Sequence, residues 1–336
     1  MATQKDIARM TGVSPSLVSR VLNGTAADIG IAQATIEKIQ SAAKSLNYFP
    51  NSAARSLKGK ETKIIGVIVR TFHDAFLGTI LDELNREATE AGATLLVKGF
   101  REGRFNADEI NSLLSYSPDA LLLVGTMDFE GWDPTIFQSG KLIVQIGARP
   151  AIGSIVSCGM DEQEAAHQII VHMRSLGHQT YGIVGDSSIP SQRRRERLVV
   201  ELGNHRIGVP ENWQMSSDAE FATAGRLSAS HLLSIKNRAE WPTAVIATGD
   251  MIAIGFIREL QEAGVDVPGQ LSVCSYNDIE FASFFSPSLT TIHQPVREMA
   301  NAALRISLGN LPPETIRLKP DLVIRRSTSP PREPST

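Results

Sequence analysis

Residues able to contact DNA bases are concentrated near the N-terminus, where two short helices are predicted. Pro15, Ser16 and Arg20 fall on the second of these helices. In a helix-turn-helix unit the second helix enters the major groove and presents its first residues to the base edges. An arginine can donate two hydrogen bonds to guanine O6 and N7, whereas serine discriminates poorly between bases. We therefore expect base contact from Arg20 and Ser16, with a phosphate contact as the alternative for Arg20, and only apolar contact from Pro15. Ser14 and Ser19 are expected to bond phosphates or to cap the helix.

Local signals define the helices that would position these side chains. Thr3 followed by Asp6 fits a capping box, in which a hydroxyl and a carboxylate satisfy the first free amides of a helix. Gly12 tolerates the left-handed conformation that ends a helix, and Pro15 suits the first position of the next one. Apolar residues at helical spacing give the second helix one buried face, and a third helix is predicted from about Gln33 to Leu46.

The charge of the chain is unevenly distributed. Residues 1–60 contain eight basic and three acidic side chains, a net charge of +5, whereas the chain as a whole carries −3. A basic segment attached to an acidic body indicates that one end contacts phosphates. Chance segregation of charge is the alternative, because this signal alone is weak.

From Lys63 onward the pattern changes to alternating strands and helices. The run from Ile64 to Val69 is continuous, apolar and β-branched, which is typical of a strand covered on both faces. Such alternation predicts parallel, doubly wound sheets, and its restart after Glu162 indicates two similar α/β lobes. Open sheets of this kind bind ligands beyond the carboxyl ends of their strands. We therefore expect a ligand cleft between the lobes. Strands are predicted at 64–69, 95–97, 120–125, 142–146, 181–184, 244–247 and 271–276, and helices at 76–91, 107–116, 162–176, 193–204, 223–236 and 251–264.

Several motifs, in order along the chain, resemble the signature of the LacI/GalR family. The first is the run KDIARMTGVSPSLVSRVLNG from Lys5 to Gly24, and LNYFPN and ARSL follow between Leu46 and Leu57. Downstream come AIG at 253–255, GVDVP at 264–268 and SPSLTTIHQP at 286–295. The resemblance therefore covers residues 3 to 326. Two features depart from the pattern: the loop before the third helix is longer than usual, and Ile36 replaces a common arginine, so phosphate contacts from that loop are in doubt.

The resemblance implies a fold and a function. The expected fold is an all-α helix-turn-helix headpiece (1–50), a hinge helix and linker (51–62) and a periplasmic-binding-protein-like domain of two doubly wound lobes (63–326). Crossovers between the lobes are expected near 161, 293 and 320, and a disordered tail is expected at 327–336. The implied function is that of a sequence-specific DNA-binding transcriptional regulator, expected to be a repressor. Its implied partners are double-stranded operator DNA, a small-molecule effector such as a sugar or purine, and a second copy of the chain.

The segment after the headpiece matches the family's hinge helix. In the family this helix orders on operator DNA and inserts a leucine into the minor groove, and Leu57 occupies the matching place, after Asn51 and Ala54. An apolar wedge unstacks a base step and bends the duplex. The alternative is a plain linker with Leu57 in a protein interface.

The family's effector-binding positions fall on residues in both lobes. By resemblance, Asp161 lies at a crossover, Arg197 matches a frequent ligand-binding arginine, and Asn277 stands where many members have an aspartate. Arg193–Arg195 precede Arg197, which leaves the register of the effector arginine open, and the three arginines together could instead be solvated or bind an anion. The full set of expected effector-binding residues is Phe76, Leu77, Asp161, Arg197, Phe221, Asn277 and Gln294. For Phe76 and Leu77 the alternative is ordinary packing at the start of a helix.

Two other classes of protein, an enzyme and a secreted solute-binding protein, are the alternatives to this interpretation. An enzyme is disfavoured, because the sequence contains no nucleophile elbow, P-loop, dinucleotide-binding turn or HExxH motif. His167 and His172 are five residues apart, which misses the i, i+4 spacing of paired metal ligands, so neither a metal nor a cofactor is expected. A secreted solute-binding protein would need a signal peptide, which is not evident at the N-terminus. Cys158 and Cys274 lack a metal-ligand or CxxC pattern and fit reduced, buried thiols, so a cytoplasmic location without membrane contact is expected.

The hinge hypothesis can be tested with Leu57→Ala. If Leu57 is a minor-groove wedge, the variant should bind operator DNA more weakly and bend it less, while its effector affinity stays unchanged, because only the unstacking of one base step is lost. Circular-permutation gel shifts measure the bend angle. An unchanged angle in a folded Leu57→Ala dimer would refute the wedge role.

Overall fold

The computed structural model describes residues 2–22, 30–48, 62–99, 107–125, 127, 132, 134–148 and 155–332. Contacts between Cα atoms divide the chain into two compact units, Met1–Thr62 and Lys63–Thr336. Across the described residues, no helix has both the length and the apolar character that crossing a membrane requires.

The first unit contains the predicted helices α1 (Gln4–Thr11), α2 (Pro15–Leu22) and α3 (Gln33–Ser45). Both halves of the capping box form at the start of α1: the amide of Asp6 donates to the hydroxyl of Thr3, and the Asp6 carboxylate accepts from the Thr3 amide. Gly12 ends the helix with a φ of 75°, in the left-handed region. The three helices pack around a small core whose innermost members are Ile7, Val18 and Ile39.

The second unit alternates strands and helices, as predicted. Its strands are β1 (Ile64–Val69), β2 (Thr94–Gly99), β3 (Ala120–Val124), β4 (Leu142–Ile146), β5 (Val156–Met160), β6 (Tyr181–Asp186), β7 (Gln214–Ser217), β8 (Ala244–Ala247), β9 (Ser272–Asn277), β10 (Thr290–His293), β11 (Ile316–Leu318) and β12 (Asp321–Val323). Its helices are α4 (Ala75–Ala91), α5 (Ala107–Leu114), α6 (Thr135–Gln138), α7 (Glu162–Ser175), α8 (Ile189–Asn204), α9 (Phe221–Ser234), α10 (Asp250–Glu262), α11 (Glu280–Phe284) and α12 (Val296–Ser307).

These elements form two lobes, each built around a six-stranded sheet. Lobe 1 has the strand order β11-β5-β4-β3-β1-β2, with every pair parallel. Lobe 2 has the order β12-β10-β9-β8-β6-β7, in which β12 pairs antiparallel with β10 and the other pairs are parallel. Strand β1, which lies between β3 and the edge strand β2, is buried along its whole length because helices cover both faces of its sheet. The predicted α/β class is confirmed, with the correction that lobe 2 has one antiparallel edge strand.

The chain passes between the lobes three times. The first passage is at Asp161, between β5 and α7; the second is at 294–295, between β10 and α12; and the third is at 319–320, between β11 and β12. Helix α12 follows a lobe 2 strand but packs in the core of lobe 1 through Met299, Ala300 and Ala303. Each lobe is therefore completed by segments that are distant in sequence.

Five of the strands in the described residues were not predicted from the sequence, and all five lie at or beside a sheet edge. Strands β7, β11 and β12 are three or four residues long and only partly buried, so they lack the apolar run that marks a covered strand. Strand β5 is mostly buried, but its sequence VSCGM contains serine and glycine instead of β-branched residues. Its position is set by pairing with β4 and β11, which a local pattern does not reveal.

The expectation of a disordered tail from residue 327 is wrong for 327–332, which pack on lobe 2. Ser327 is fully buried; its hydroxyl donates to the carbonyl of Val273 (2.6 Å) and accepts from the amide of Thr290 (2.8 Å). The ring of His178 lies 2.9 Å from the carbonyl oxygen of Ser329, and burial lowers the pKa of this histidine. The polar, proline-containing composition suggested disorder, but here the polar groups bond to the ends of β9 and β10.

Ser327→Ala should destabilise the second unit by about 1–3 kcal/mol, because it leaves the buried amide of Thr290 without its partner. Urea unfolding followed by circular dichroism measures the loss. Ser234→Ala is the matched control: Ser234 is exposed and its hydroxyl bonds only to the carbonyl of His231, so a change within about 0.5 kcal/mol is expected. Equal stabilities for the two variants would contradict the assigned role of the tail.

Candidate functional site

One face of α2 carries the residues predicted to contact DNA. Pro15, Ser16 and Arg20 are exposed, whereas Val18 and Val21 are buried in the headpiece core. The core therefore fixes which face of this helix points outward, and that face presents the predicted base-contacting side chains together.

The remaining predicted DNA-contacting residues have different surroundings. The amide of Leu17 donates to the hydroxyl of Ser14 (3.2 Å), so Ser14 caps the start of α2, one of the two roles expected for it. Ser19 is half-buried. Asn51, Ala54 and Leu57 lie outside the described residues, and their roles stay predictions.

A cleft lies between the two lobes of the second unit. It is bordered by residues at or just beyond the carboxyl ends of parallel strands, as expected for open α/β sheets. In lobe 1 these are Arg70 after β1, Gly125 after β3 and Gly147 after β4; in lobe 2 they are Asp186 in β6, Thr248 after β8 and Asn277 in β9.

Arg194 on α8 is the most constrained charged side chain of the cleft. Only 7% of its side chain is exposed. Its Nη1 donates to the carbonyl of Thr248 (2.7 Å) and to Oδ1 of Asn277 (3.0 Å), and its Nε lies 3.4 Å from a carboxylate oxygen of Glu162. The guanidinium carbon is 4.7 Å from the ring centre of Tyr276. A buried guanidinium needs such compensation, and these contacts hold its plane in one orientation.

Asn277 and Gln294 extend this network across the cleft wall. Oδ1 of Asn277 accepts from Arg194 and also from Nε2 of Gln294 (2.8 Å), a residue that is almost fully buried. Because both lone pairs of the oxygen are used, the amide nitrogen of Asn277 is the group with which it can donate to a ligand. Asn277 has a φ of 113°, outside the regions favoured by L-residues, and backbone outliers of this kind cluster at functional sites.

Two aromatic residues give the cleft apolar walls. Phe76 on α4 packs against the cores of both lobes, and Phe221 begins α9 in lobe 2. The guanidinium of Arg70 lies 5.9 Å from the ring centre of Phe221 and also pairs with Asp74 at 3.1 Å. Leu77 is buried beneath this wall. Planar rings and an arginine at the cleft edge suit a ligand with a flat or ring-shaped body.

Several lining residues were not identified from the sequence. Asp186 is nearly buried, and its carboxylate accepts from both the amide and the hydroxyl of Ser188. The hydroxyls of Ser191 and Thr248 are 2.7 Å apart beside it. A usable signal existed, because Thr248 directly follows a predicted strand and Asp186 lies two residues beyond another, and such positions in parallel sheets face the ligand site.

The charges lining the cleft nearly balance. Arg70 is paired with Asp74, and Arg194 lies beside Glu162, whereas the carboxylate of Asp186 accepts hydrogen bonds from a neutral serine. Among the described residues, the lining of the cleft therefore has no excess of positive charge, which an anionic ligand would require.

Five of the seven predicted effector residues line this cleft, whereas Asp161 and Arg197 do not. Asp161 caps α7, accepting from the amides of Gln163 and Glu164, and Arg197 is exposed. Both border a separate depression. The arginine that reaches the cleft is Arg194, three residues earlier, because positions 194 and 198 share the buried stripe of α8 and position 197 falls outside it. The five residues in the cleft are Phe76, Leu77, Phe221, Asn277 and Gln294.

An exposed recognition helix in one unit and a two-lobed ligand cleft in the other define the class of ligand-responsive DNA-binding regulators, and comparison with known proteins agrees with this class. Residues 3–51 match the family described as "Bacterial regulatory proteins, lacI family", and residues 170–328 match a periplasmic binding protein-like domain. The HTH-type transcriptional repressor PurR of Photobacterium profundum is 32% identical, covering 97% of this chain and 98% of that protein. The ribose operon repressor of Escherichia coli (strain K12) is 31% identical, covering 97% of this chain and all of that protein.

A solved structure of the lac repressor dimer, bound to operator and the anti-inducer ONPF, has the same fold. Its TM-score is 0.79 at 24% identity, with 98% of this chain and 99% of that chain covered. The chain belongs to the LacI family of bacterial regulatory proteins. It is a DNA-binding transcriptional regulator whose operator binding is modulated by a small-molecule effector.

Arg194→Lys should weaken effector binding at least tenfold, about 1.4 kcal/mol, because an ammonium cannot reproduce the planar, stacked guanidinium. A thermal-shift screen of monosaccharides and purine bases identifies a ligand, and titration calorimetry then measures its affinity. Arg197→Lys, on the same helix but exposed, is the control and should stay within twofold of wild type. If Arg197→Lys lost affinity and Arg194→Lys kept it, the assignment to Arg194 would be wrong.

Proposed function

We propose that the protein is a homodimeric repressor that binds a pseudo-palindromic operator through two headpieces. Effector binding in the cleft either lowers or raises its affinity for this operator. The single observation that carries this proposal is the exposed face of α2, with Ser16 and Arg20 aligned on a helix whose opposite face is buried. The headpiece comprises residues 1–50, the hinge 51–62 and the effector domain 63–326. Curated relatives that match nearly the whole chain are named as repressors rather than enzymes, which supports repression and a non-enzymatic role. As a DNA-binding protein it acts in the cytoplasm.

Binding to a complete operator requires a dimer, because one headpiece contacts only one half-site. Lobe 2 has large apolar side chains that are exposed in the single chain, among them Leu227 on α9 and Phe281 and Phe284 on α11. Exposed apolar surface of this kind marks protein–protein contacts. These residues support contact between lobe 2 and a partner copy.

The effector is a neutral, ring-shaped metabolite with several hydrogen-bonding groups, such as a monosaccharide or a purine base. Phe76 and Phe221 supply apolar surfaces for a ring, whereas Arg194, Asn277 and Asp186 supply donors and an acceptor. The near balance of charge in the cleft disfavours a phosphorylated ligand. The names of the relatives, PurR and the ribose operon repressor, are consistent with either ring class.

The cleft can control DNA binding because its walls belong to different lobes. Phe76 comes from lobe 1, and Arg194 and Phe221 come from lobe 2, so a ligand that contacts all three favours one arrangement of the lobes. A ligand shifts such an equilibrium only by its difference in affinity for the two arrangements. Coupling of this kind is typically about 1–3 kcal/mol, equivalent to about 5- to 150-fold in operator affinity.

Arg20→Ala tests base recognition by the headpiece. The variant should lose about 1–3 kcal/mol of operator affinity and should relax specificity at one base pair in each half-site, because the bidentate contact to guanine is lost. Gel-shift titrations against operators mutated at each position measure both effects. Binding by the wild type should also weaken steeply with salt.

Arg9→Ala is the matched control, because Arg9 is exposed on α1, 3.7 Å from Asp6, and lies outside the recognition helix. Any weakening caused by Arg9→Ala should be uniform across operator variants. If Arg20→Ala also weakened binding to every sequence equally, Arg20 would be reassigned to a phosphate contact.

A further inference from the structure

Three potential metal ligands converge on the outer side of lobe 2, away from the residues that line the effector cleft. They are His167 on α7, Glu201 on α8 and His205, which caps the end of α8. Nδ1 of His167 lies 2.8 Å from Oε1 of Glu201, and Nε2 of His205 lies 3.5 Å from the same oxygen. One ligand atom from each residue falls within 4.8 Å of the other two. An ion bonded to each atom at about 2.0–2.2 Å holds any two of them no more than about 4.4 Å apart, so the group is already close to the size that one ion requires.

The carboxylate of Glu201 is held in place by a second set of contacts. Only 7% of its side chain is exposed. Its other oxygen, Oε2, accepts from Nε2 of Gln163 (3.0 Å) and from Nδ2 of Asn204 (3.1 Å). These two amides direct Oε1 towards the histidines, as outer hydrogen bonds do for carboxylates in metal sites.

His205 provides an independent sign that a partner is missing. Its Nε2 is buried and makes no hydrogen bond to any of the described residues, even though it faces Oε1 of Glu201. Buried polar groups of native proteins nearly always have a partner. A metal ion placed between these atoms would satisfy the nitrogen and the carboxylate oxygen together.

We propose that His167, Glu201 and His205 bind a divalent transition metal of the zinc type. Two imidazole nitrogens and one carboxylate oxygen form a ligand set that zinc accepts, whereas calcium and magnesium prefer all-oxygen sites. The side chain of His167 is 51% exposed, so water can reach the site and supply a fourth ligand. The site lies on α7 and α8, and its occupation would tie the two helices together.

Arg174 modulates this site. Its Nη1 lies 2.8 Å from Nδ1 of His205 and donates to it, which places the imidazole proton on Nε2, the nitrogen that would bind the metal. Metal binding must therefore shift the proton to Nδ1 and displace Arg174, which is exposed and can move. The guanidinium also repels a cation. Replacing Arg174 by glutamine, whose side-chain oxygen can accept from a protonated Nδ1, should increase metal affinity.

The site was missed in the sequence because its ligands come from separate helices. Within α7, His167 and His172 have the wrong spacing for one metal. Glu201 and His205 are four residues apart along α8, and His167 joins them only because α7 packs against α8.

The test uses the full chain without a histidine tag, freed of metal with a chelator. Zinc titrated by calorimetry should bind at one site per chain, and zinc at a hundredfold excess over Kd should raise Tm by about 5 °C. Magnesium should have no effect. Cobalt(II), used as a spectroscopic probe, should give the visible absorption of a four-coordinate site with nitrogen and oxygen ligands.

Variants separate this site from adventitious binding. His167→Ala removes a half-exposed ligand and should reduce zinc affinity more than tenfold without unfolding the protein, and Glu201→Gln should do the same. Arg174→Gln should raise the affinity severalfold. His231→Ala, which removes an exposed histidine on α9, is the control and should leave zinc binding unchanged.

Two outcomes would overturn the proposal. One is the absence of any zinc heat or Tm shift in the wild type. The other is a zinc affinity in His167→Ala equal to that of the wild type. Because His167 is half-exposed, this variant gives a decisive result even if Glu201→Gln fails to fold.

Discussion

A buried guanidinium must have its charge and its N–H groups satisfied, and the arrangement of lobe 2 around the cleft depends on this requirement. Arg194 donates hydrogen bonds to the carbonyl of Thr248 beyond β8, to the amide oxygen of Asn277 in β9 and to the carboxylate of Glu162 at the start of α7. Removing one partner of a buried charge costs folding free energy, so these three segments are held in fixed positions relative to one another. The same contacts fix Asn277 in a sparsely populated backbone conformation, which aligns its amide with the cleft.

This constraint explains how one wall of the cleft can be rigid while the cleft as a whole can respond to a ligand. The network of Arg194 lies within lobe 2 and includes Gln294 at the second crossing between the lobes. Across the cleft, Arg70 of lobe 1 reaches Glu220 at 3.9 Å, a contact between partly exposed groups that contributes little stability. The fixed network within lobe 2 and the weak ion pair between the lobes allow effector binding to select the relative arrangement of the lobes.

The sequence was sufficient where a local rule determines the structure. The capping box of Thr3 and Asp6, the left-handed Gly12 and the β-branched run of β1 each follow from neighbouring residues, and each forms as predicted. The sequence alone did not predict structure that depends on contacts between residues distant in the chain. Arg194 and Arg197 differ only in which face of α8 meets the cleft, and the polar residues after Arg326 are ordered by bonds to β9 and β10. Short edge strands such as β11 likewise depend on pairing with a distant strand.

Helix α8 connects the effector cleft with the proposed metal site. Its first half carries Arg194 into the effector cleft, and its last turn carries Glu201 and His205 towards His167 on α7. Seven residues, about two helical turns, separate Arg194 from Glu201, and the stripe that includes Leu198 is buried between them. A metal ion that fixes the end of α8 to α7 would restrict the motion of the helix that positions Arg194. Linkage is reciprocal, so if metal binding at the outer site changes the effector affinity, effector binding changes the metal affinity by the same factor.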